Sequence, residues 1–239
     1  VTADRETLAR MSFQRFFRTY PVLAGMTGTA DEAAFEMSRV YERPVTVIPT
    51  NRPLIRQRWA TRVFRTSEDR WNAVAEAIQS AHDAGRPVLV GSRSIESSEV
   101  IAHKLEARGL RHRVLNANFD KEEADLISHA GKHRSITVAT NMAGRGTDIK
   151  LDREAKDVVL TEMHTARRID RQFIGRAGRQ GDPGSSQMFV SLDDELLRVH
   201  VAGLARALRG SMSSGELSGA ARAQALALFR LAQRRAEFR

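Results

Sequence analysis

The stretch "SITVATNMAGRGTDIK", residues 135–150, changes character halfway along. Its first six residues form a short apolar, β-branched run, the pattern of a strand buried on both faces. Then Gly144 and Gly146 flank Arg145, and Asp148 follows two residues later. Glycine permits positive φ and lets a ligand approach the backbone closely. Arg145 can donate to phosphate oxygens in a planar fork. Asp148 can accept from a ribose hydroxyl or hold an arginine in place. A buried strand that runs straight into an anion-binding loop predicts an α/β fold, because ligands in open parallel sheets sit at the carboxyl ends of the strands.

The flanking sequence agrees. Strand-like runs recur as "RVFRT" (62–66), "PVLVGS" (87–92), "RHRVLN" (111–116), "DVVLTE" (157–162) and "SQMFVSL" (186–192). Helical patterns fall between most of them, at 67–84, 94–108, 120–130 and 167–177. Ser67 and Ser94 are expected N-caps, and Gly109 and Gly131 follow two of the helices. This alternation predicts a parallel sheet with helices on both faces. Upstream, 7–20 and 31–41 read as helices, and "PVLAGMTGTA" (21–30) and "PVTVIP" (44–49) as strands. Residues 50–62, with Pro49 before them and Pro53 within, read as a linker at a domain boundary. Downstream, 191–210 and 218–239 are Ala/Leu/Arg-rich helices joined by a Gly/Ser loop.

"RQFIGRAGRQGD", residues 171–182, sets Arg176 and Arg179 three apart among Gly175, Gly178 and Gly181. On a helix, positions three apart share a face, so both guanidinium groups and Gln180 would project together. Each glycine inside an exposed helix costs about 1 kcal/mol. A plain solvated helix would not carry two. Two arginines aimed at one point suit the charge that develops on a transferred phosphoryl group.

Composition sets the outer bounds. The 239 residues are 41% hydrophobic and 28% charged, with no cysteine and a net charge of +9. Disulfides and thiolate metal sites are excluded. Eight arginines against Glu216 and Glu237 put much of the charge in the tail, residues 198–239. No apolar run approaches the roughly 18–20 residues that span a bilayer. The start at Val1, already close to an amphipathic pattern, reads as a fragment or processed piece. The pattern G-x-x-x-x-G-K-[ST] does not occur, so the P-loop lysine and its Mg²⁺-holding hydroxyl are missing. "DEAA" (31–34) reads as acids at a helix start, where the dipole favours them. "FVSLDDE" (189–195) imitates an acidic metal-holding strand but lies downstream of both arginine loops. The histidines show no ligand spacing, no metal site is expected, and His164 beside Glu162 reads as structural.

The two arginine loops in this order resemble the second RecA-like domain of superfamily-2 motors. The wording is closer still to the SecA family of preprotein translocase ATPases. "LAGMTGTADEAAFE", "VIPTNRPLIR", "TNMAGRGTDI" and "RRIDRQFIGRAGRQGDPGSSQMFVSLDD" all resemble that family, over about residues 7–195. The resemblance implies a RecA-like fold of the superfamily-2 helicase C-terminal type, followed by an α-helical tail. It implies that 1–50 closes a first motor domain, that 53–195 is the second nucleotide-binding domain, and that 196–239 begins a helical scaffold. It assigns Arg176 and Arg179 as finger arginines and Gln180 as a neighbour of the γ-phosphate. It places Gly144, Arg145, Gly146, Asp148 and Gly175 at the nucleotide, and Thr27, Gly28 and Thr29 in interdomain coupling. The implied cofactor is ATP with Mg²⁺, the metal being held by a P-loop-bearing first motor domain. The implied partners are that domain, a SecYEG-like membrane channel, unfolded preprotein and, through the basic tail, acidic lipid. The implied location is the cytoplasmic face of the cell membrane. This sequence departs from the family in having only "KLDREAKDVVL" between the GRGTDI loop and the "TE.H" positions that follow, where the family has a longer insertion. Met163 and Thr165-Ala166 also stand where the family has Arg and Glu-Ser. These mark a compact, divergent relative.

Two other classes fit the arginine skeleton. One is the C-terminal domain of a nucleic-acid helicase, disfavoured because aromatics are only 6% and no loop joins them to basic residues for base stacking. The other is a standalone interaction module that docks through its basic tail. Against it stands a scaffold helix whose apolar side (Leu228, Leu231, Ala232) packs on the motor domain.

Overall fold

The computed structural model describes residues 10–115, 129–140, 157–212 and 215–237, with the backbone alone for 157–161. The chain divides into two compact units, Val1–Pro49 and Thr50–Arg239. In the first, α1 (Phe13–Phe17) starts where the Ser12 hydroxyl accepts from the Arg15 amide. It stops within a turn, because the Thr19 hydroxyl donates to the Phe16 carbonyl and the residue before Pro21 is barred from helical ψ. The helix expected over 7–20 is therefore one short helix among the described residues. A 3-10 turn (Ala30–Ala33), with Asp31 and Glu32 in its first turn, leads into α2 (Ala34–Tyr41). Glu42 ends α2 at φ 56°, and Arg18 meets its carboxylate at 3.2 Å.

The strands expected at 21–30 and 44–49 do not form. A strand exists through its partners, and these segments pair with none among the described residues. Val22 and Ile48 stay 86% and 79% exposed.

The second unit is built on a parallel sheet. Its described strands are β1 (Gln57–Arg58), β2 (Arg62–Phe64), β3 (Val88–Ser92), β4 (Arg113–Leu115), β5 (Ile136–Thr140), β6 (Asp157–Thr161) and β7 (Gly184–Ser191). They lie in the order β1-β7-β6-β3-β5-β4, with β2 pairing further along β7. In register, Val88 sits between Ile136 and Val158, and Val63 opposes Val190.

Alternation sends successive side chains to opposite faces. Val88, Val90, Ile136 and Val138 meet α3 (Ser67–Asp83) and α4 (Ile95–Glu106) through Val74, Ile78, Ile101 and Leu105. On the other face Leu89, Leu115 and Ala139 meet Phe173 and Ala177. Phe173 belongs to α5 (Arg167–Ile174). At the β2–β7 edge, Val63, Met188 and Val190 meet the tail helices α6 (Glu195–His200), α7 (Ala202–Gly210) and α8 (Gly219–Glu237). Ala225, Phe229 and Ala232 are the fully buried centre of the α8 face, with Leu228 and Leu231 at its margin. Among the described residues no helix is long and apolar enough to cross a membrane.

Two local expectations need correction. The cap of α3 is Thr66, whose hydroxyl accepts from the Asp69 amide at 3.1 Å, and Ser67 is the first helical residue. Ser94 does cap α4, and Gly109 at φ 70° closes it. Residues 50–62 are no free linker. β1 pairs with β7, the Trp59 amide donates to the Ser186 carbonyl at 2.8 Å, and Trp59 packs on the α3 core. A two-residue strand carries no periodicity from which to read it. The helix expected over 120–130 falls largely outside the described residues.

Candidate functional site

Residues 175–182 are a loop and not, as the spacing predicts, a continuation of the helix. α5 ends at Ile174, with Gly175 as its C-cap. Gly178, Gln180 and Gly181 then take φ of 58°, 53° and 84°. Left-handed backbone cannot continue an α-helix, so the arginines do not share a helical face.

The loop instead hangs from a buried knob. Ala177 is fully buried against Leu89, Leu115 and Ala139, and Arg176 and Arg179 stand on either side of it. The Arg176 guanidinium lies 5.9 Å from the Phe173 ring centroid. The Arg179 Nε donates to the Gly175 carbonyl at 3.2 Å. Gln180 is a non-glycine residue held left-handed, a conformation that persists only where the surroundings enforce it.

What enforces it comes from residues that sequence reasoning passed over as linker. Arg56 Nη1 donates to the Ala177 carbonyl at 2.8 Å, and Arg52 Nη1 to the Gln180 carbonyl at 3.3 Å. A Cβ on Gly178 would lie 2.9 Å from Arg56 Cβ, and one on Gly181 would lie 3.1 Å from Arg52 Cβ. The glycines between the arginines thus serve two needs, positive φ and room for a second chain segment.

Beneath the loop, α5 is held by buried polar contacts. Asp170 Oδ1 accepts from the backbone amide of His164 at 2.9 Å and lies 2.8 Å from its Nδ1. Gln233 of α8 donates to Asp170 Oδ2 at 2.8 Å and to the His164 carbonyl at 2.9 Å. His164 is thus in a structural network, and its Nε2 is buried without a hydrogen-bond partner among the described residues. One signal pointed to Gln233: it sits four residues after Phe229, on the apolar stripe of α8. A polar residue there needs a buried partner.

A second charged group ties α3 to the ends of β6 and β7. The buried Arg70 meets Glu162 at 2.9 Å and Asp194 at 3.5 Å. Burial works against its charge, but the two carboxylates outweigh this and raise its pKa. Burial pushes the Asp194 carboxyl above the ordinary carboxylate range, against the pull of Arg70 and of its hydrogen bonds from Ser191. Asp193 accepts from the Ser67 amide at 3.2 Å and pairs with Arg209. Both aspartates of "FVSLDDE" are therefore engaged in fold contacts. Among the described residues no acidic or histidine cluster could hold a metal ion.

Of the remaining expected residues, Gly144, Arg145, Gly146 and Asp148 lie outside the described residues. In the first unit, the Thr27 hydroxyl accepts from the Thr29 amide at 3.3 Å, and Thr29 is buried. A Cβ on Gly28 would meet nothing within 4 Å.

The family described as the SecA P-loop domain matches residues 53–159 and 155–214, and the SecA DEAD-like domain matches 1–38. The P-loop pattern itself does not occur in the 239 residues. The chain is 49% identical over 204 residues to the protein translocase subunit SecA of Parabacteroides distasonis, covering 83% of this chain and 18% of that protein. It is 45% identical over 225 residues to the same subunit of Nitratidesulfovibrio vulgaris, covering 90% and 27%. The chain thus spans about a fifth to a quarter of these relatives' length. Among solved structures, the yeast DEAD-box splicing factor Prp28 is similar at 18% identity and a TM-score of 0.52, over 83% of this chain and 43% of that one. At that identity the likeness concerns the fold, a RecA-like parallel sheet.

Proposed function

The chain belongs to the SecA family, and from that membership we propose that it is a section of an ATP-driven motor that moves preproteins through a membrane channel. Residues 53–195 serve as the second RecA-like domain, 1–50 close the first, and 196–239 begin the scaffold. The section supplies the arginine-bearing wall of an ATP site completed by a P-loop domain. The reading is carried by one observation: Arg176 and Arg179 flank the buried Ala177 in a loop whose backbone is held on both sides.

In this reading the two guanidinium groups neutralise charge developing on the transferred phosphoryl group, and pre-organisation spares them reorganisation during the reaction. Gln180 sits beside the γ-phosphate. Gly144, Arg145, Gly146, Asp148 and Gly175 face the nucleotide, and Thr27, Gly28 and Thr29 couple its state to movement. The donors of the arginine loop are cationic, which suits phosphate oxygens. ATP brings the phosphoryl group, and Mg²⁺ belongs with the carboxylates and P-loop of the other domain. Without that domain this section turns over no ATP. Closure on nucleotide and opening after hydrolysis then drive the preprotein. The working location is the cytoplasmic membrane face, beside a SecYEG-like channel, where the basic tail suits acidic lipid.

The test is Arg176→Ala and Arg179→Ala in this section joined to its P-loop domain. Each should lower kcat by about 1,000-fold or more, with nucleotide affinity changed only a few-fold. Wild-type turnover in both would overturn the assignment.

A further inference from the structure

The residues that lead from the first unit into the second lie on the arginine loop. The first unit ends at Pro49, and Arg52 and Arg56 follow within seven residues. They donate to the carbonyls of Gln180 and Ala177, the two residues on either side of the Gly178–Arg179 pair. Their stems fill the space that side chains at Gly178 and Gly181 would occupy. Immediately afterwards the segment is pinned to the sheet. β1 pairs with Ser185 and Ser186 of β7, and the Arg86 guanidinium covers the Trp59 ring at 5.2 Å. Pro53 lies between the two donors and fixes its own φ. A segment anchored at 57–59 and lying over 177–181 has little freedom to move without moving the loop.

We propose that residues 52–56 are a strap that holds the arginine loop in its left-handed conformation, with Arg56 as a positioning residue for Arg176 and Arg179. The role rests on the catalytic reading of those two arginines. Arg56 acts through the backbone of the loop. It fixes the carbonyl of Ala177, and through it the directions in which the neighbouring side chains leave the backbone. This strap is also the covalent entry from the first unit into the second.

The experiment compares Arg56→Ala, Arg56→Lys and Gly178→Ala. Amide hydrogen exchange over 175–182 is measured in the 239-residue chain. ATP turnover is measured after joining it to its P-loop domain, with Arg176→Ala alongside. The strap predicts that Arg56→Ala speeds exchange in the loop about tenfold or more, while exchange in the β3 and β5 amides stays unchanged. It predicts kcat about 10- to 100-fold lower at unchanged KM for ATP. Arg56→Lys, which keeps a donor, should restore most of both. Gly178→Ala, which drives a Cβ into Arg56, should reproduce the loss. Unchanged loop exchange in Arg56→Ala overturns the strap whatever the turnover shows. Faster exchange with wild-type kcat, beside an inactive Arg176→Ala, overturns the positioning role. If Arg176→Ala turns over like wild type, the catalytic reading falls and takes the positioning role with it, and loop exchange alone then decides the strap.

Discussion

Gln233 on the last helix donates a 2.8 Å hydrogen bond to the carboxylate of Asp170, on the helix that carries the arginine loop. Its second amide hydrogen goes to the His164 carbonyl at 2.9 Å. Both residues are buried, so the tail is joined to the base of the arginine loop through polar contacts as well as through the Phe229 core.

Replacing Gln233 with Ala removes both donors and leaves a buried carboxylate oxygen and a carbonyl unsatisfied. We expect a loss of about 2–4 kcal/mol in urea unfolding at neutral pH. Gln233→Glu should be worse at neutral pH, because it faces Asp170 with a second carboxylate, and should recover on acidification. A loss below 0.5 kcal/mol for Gln233→Ala would show that apolar packing alone holds α8.

Arg70 is the cation for two buried acids. Arg70→Met should cost about 3–5 kcal/mol at pH 7, because it strands Glu162 and Asp194 without a counter-charge. The pH dependence has a definite sign. The Asp194 carboxyl is already raised by burial, and without Arg70 it rises further. A raised carboxyl stabilises the fold when protonated and loses that contribution as pH rises through its folded value. The deficit of Arg70→Met should therefore be largest at pH 7 and shrink as pH falls toward the acid range. Denaturant midpoints of both proteins across pH would show it. A deficit that grows on acidification would contradict it.

Gly91 in β3 lies under the Phe173 ring, where an added Cβ would come within 2.6 Å of two ring carbons. Gly91→Ala should cost about 1–3 kcal/mol by overpacking. Phe173→Leu should relieve it, so the double variant should be more stable than the sum of the single losses predicts. Strict additivity in a double-mutant cycle would deny that the ring sets the need for glycine.

Ser94 caps α4 and also hydrogen-bonds the Glu96 carboxylate, which lowers its pKa. Ser94→Ala should cost about 1 kcal/mol from the cap alone. A lowered carboxyl contributes stability above its unfolded value and loses it as pH falls through the folded one. The difference between the two proteins should therefore narrow somewhat below pH 4.5, the ordinary glutamate value. A gap that widens there would reject the hydrogen bond.

The fold was legible where burial imposes a local pattern. "PVLVGS", "SITVAT" and "SQMFVSL" became β3, β5 and β7 because a strand covered on both faces must be apolar nearly throughout. α3 and α4 showed in their spacing and, for α4, in its cap. The segments 21–30 and 44–49 look equally strand-like but form none, since pairing is supplied by neighbours and not by the segment itself. The arginine loop was legible as chemistry and misread as shape. Two arginines among glycines announce an anion, yet the i, i+3 spacing suggested a helix that stops before the first of them.

By itself, then, the sequence determined the residue types, their order and the alternation of strand and helix, and with them the family. These are local properties, carried by side-chain volume, charge and backbone preference within a few residues. The tertiary structure alone decided that Arg52 and Arg56 meet the loop more than a hundred residues later, that Gln233 closes on Asp170, and that Arg70 joins Glu162 to Asp194. Each of these contacts is one hydrogen bond or ion pair between distant segments. Nothing in either segment specifies the other until the packing of the sheet and helices brings them within hydrogen-bond or ion-pair distance, 2.8 to 3.5 Å here.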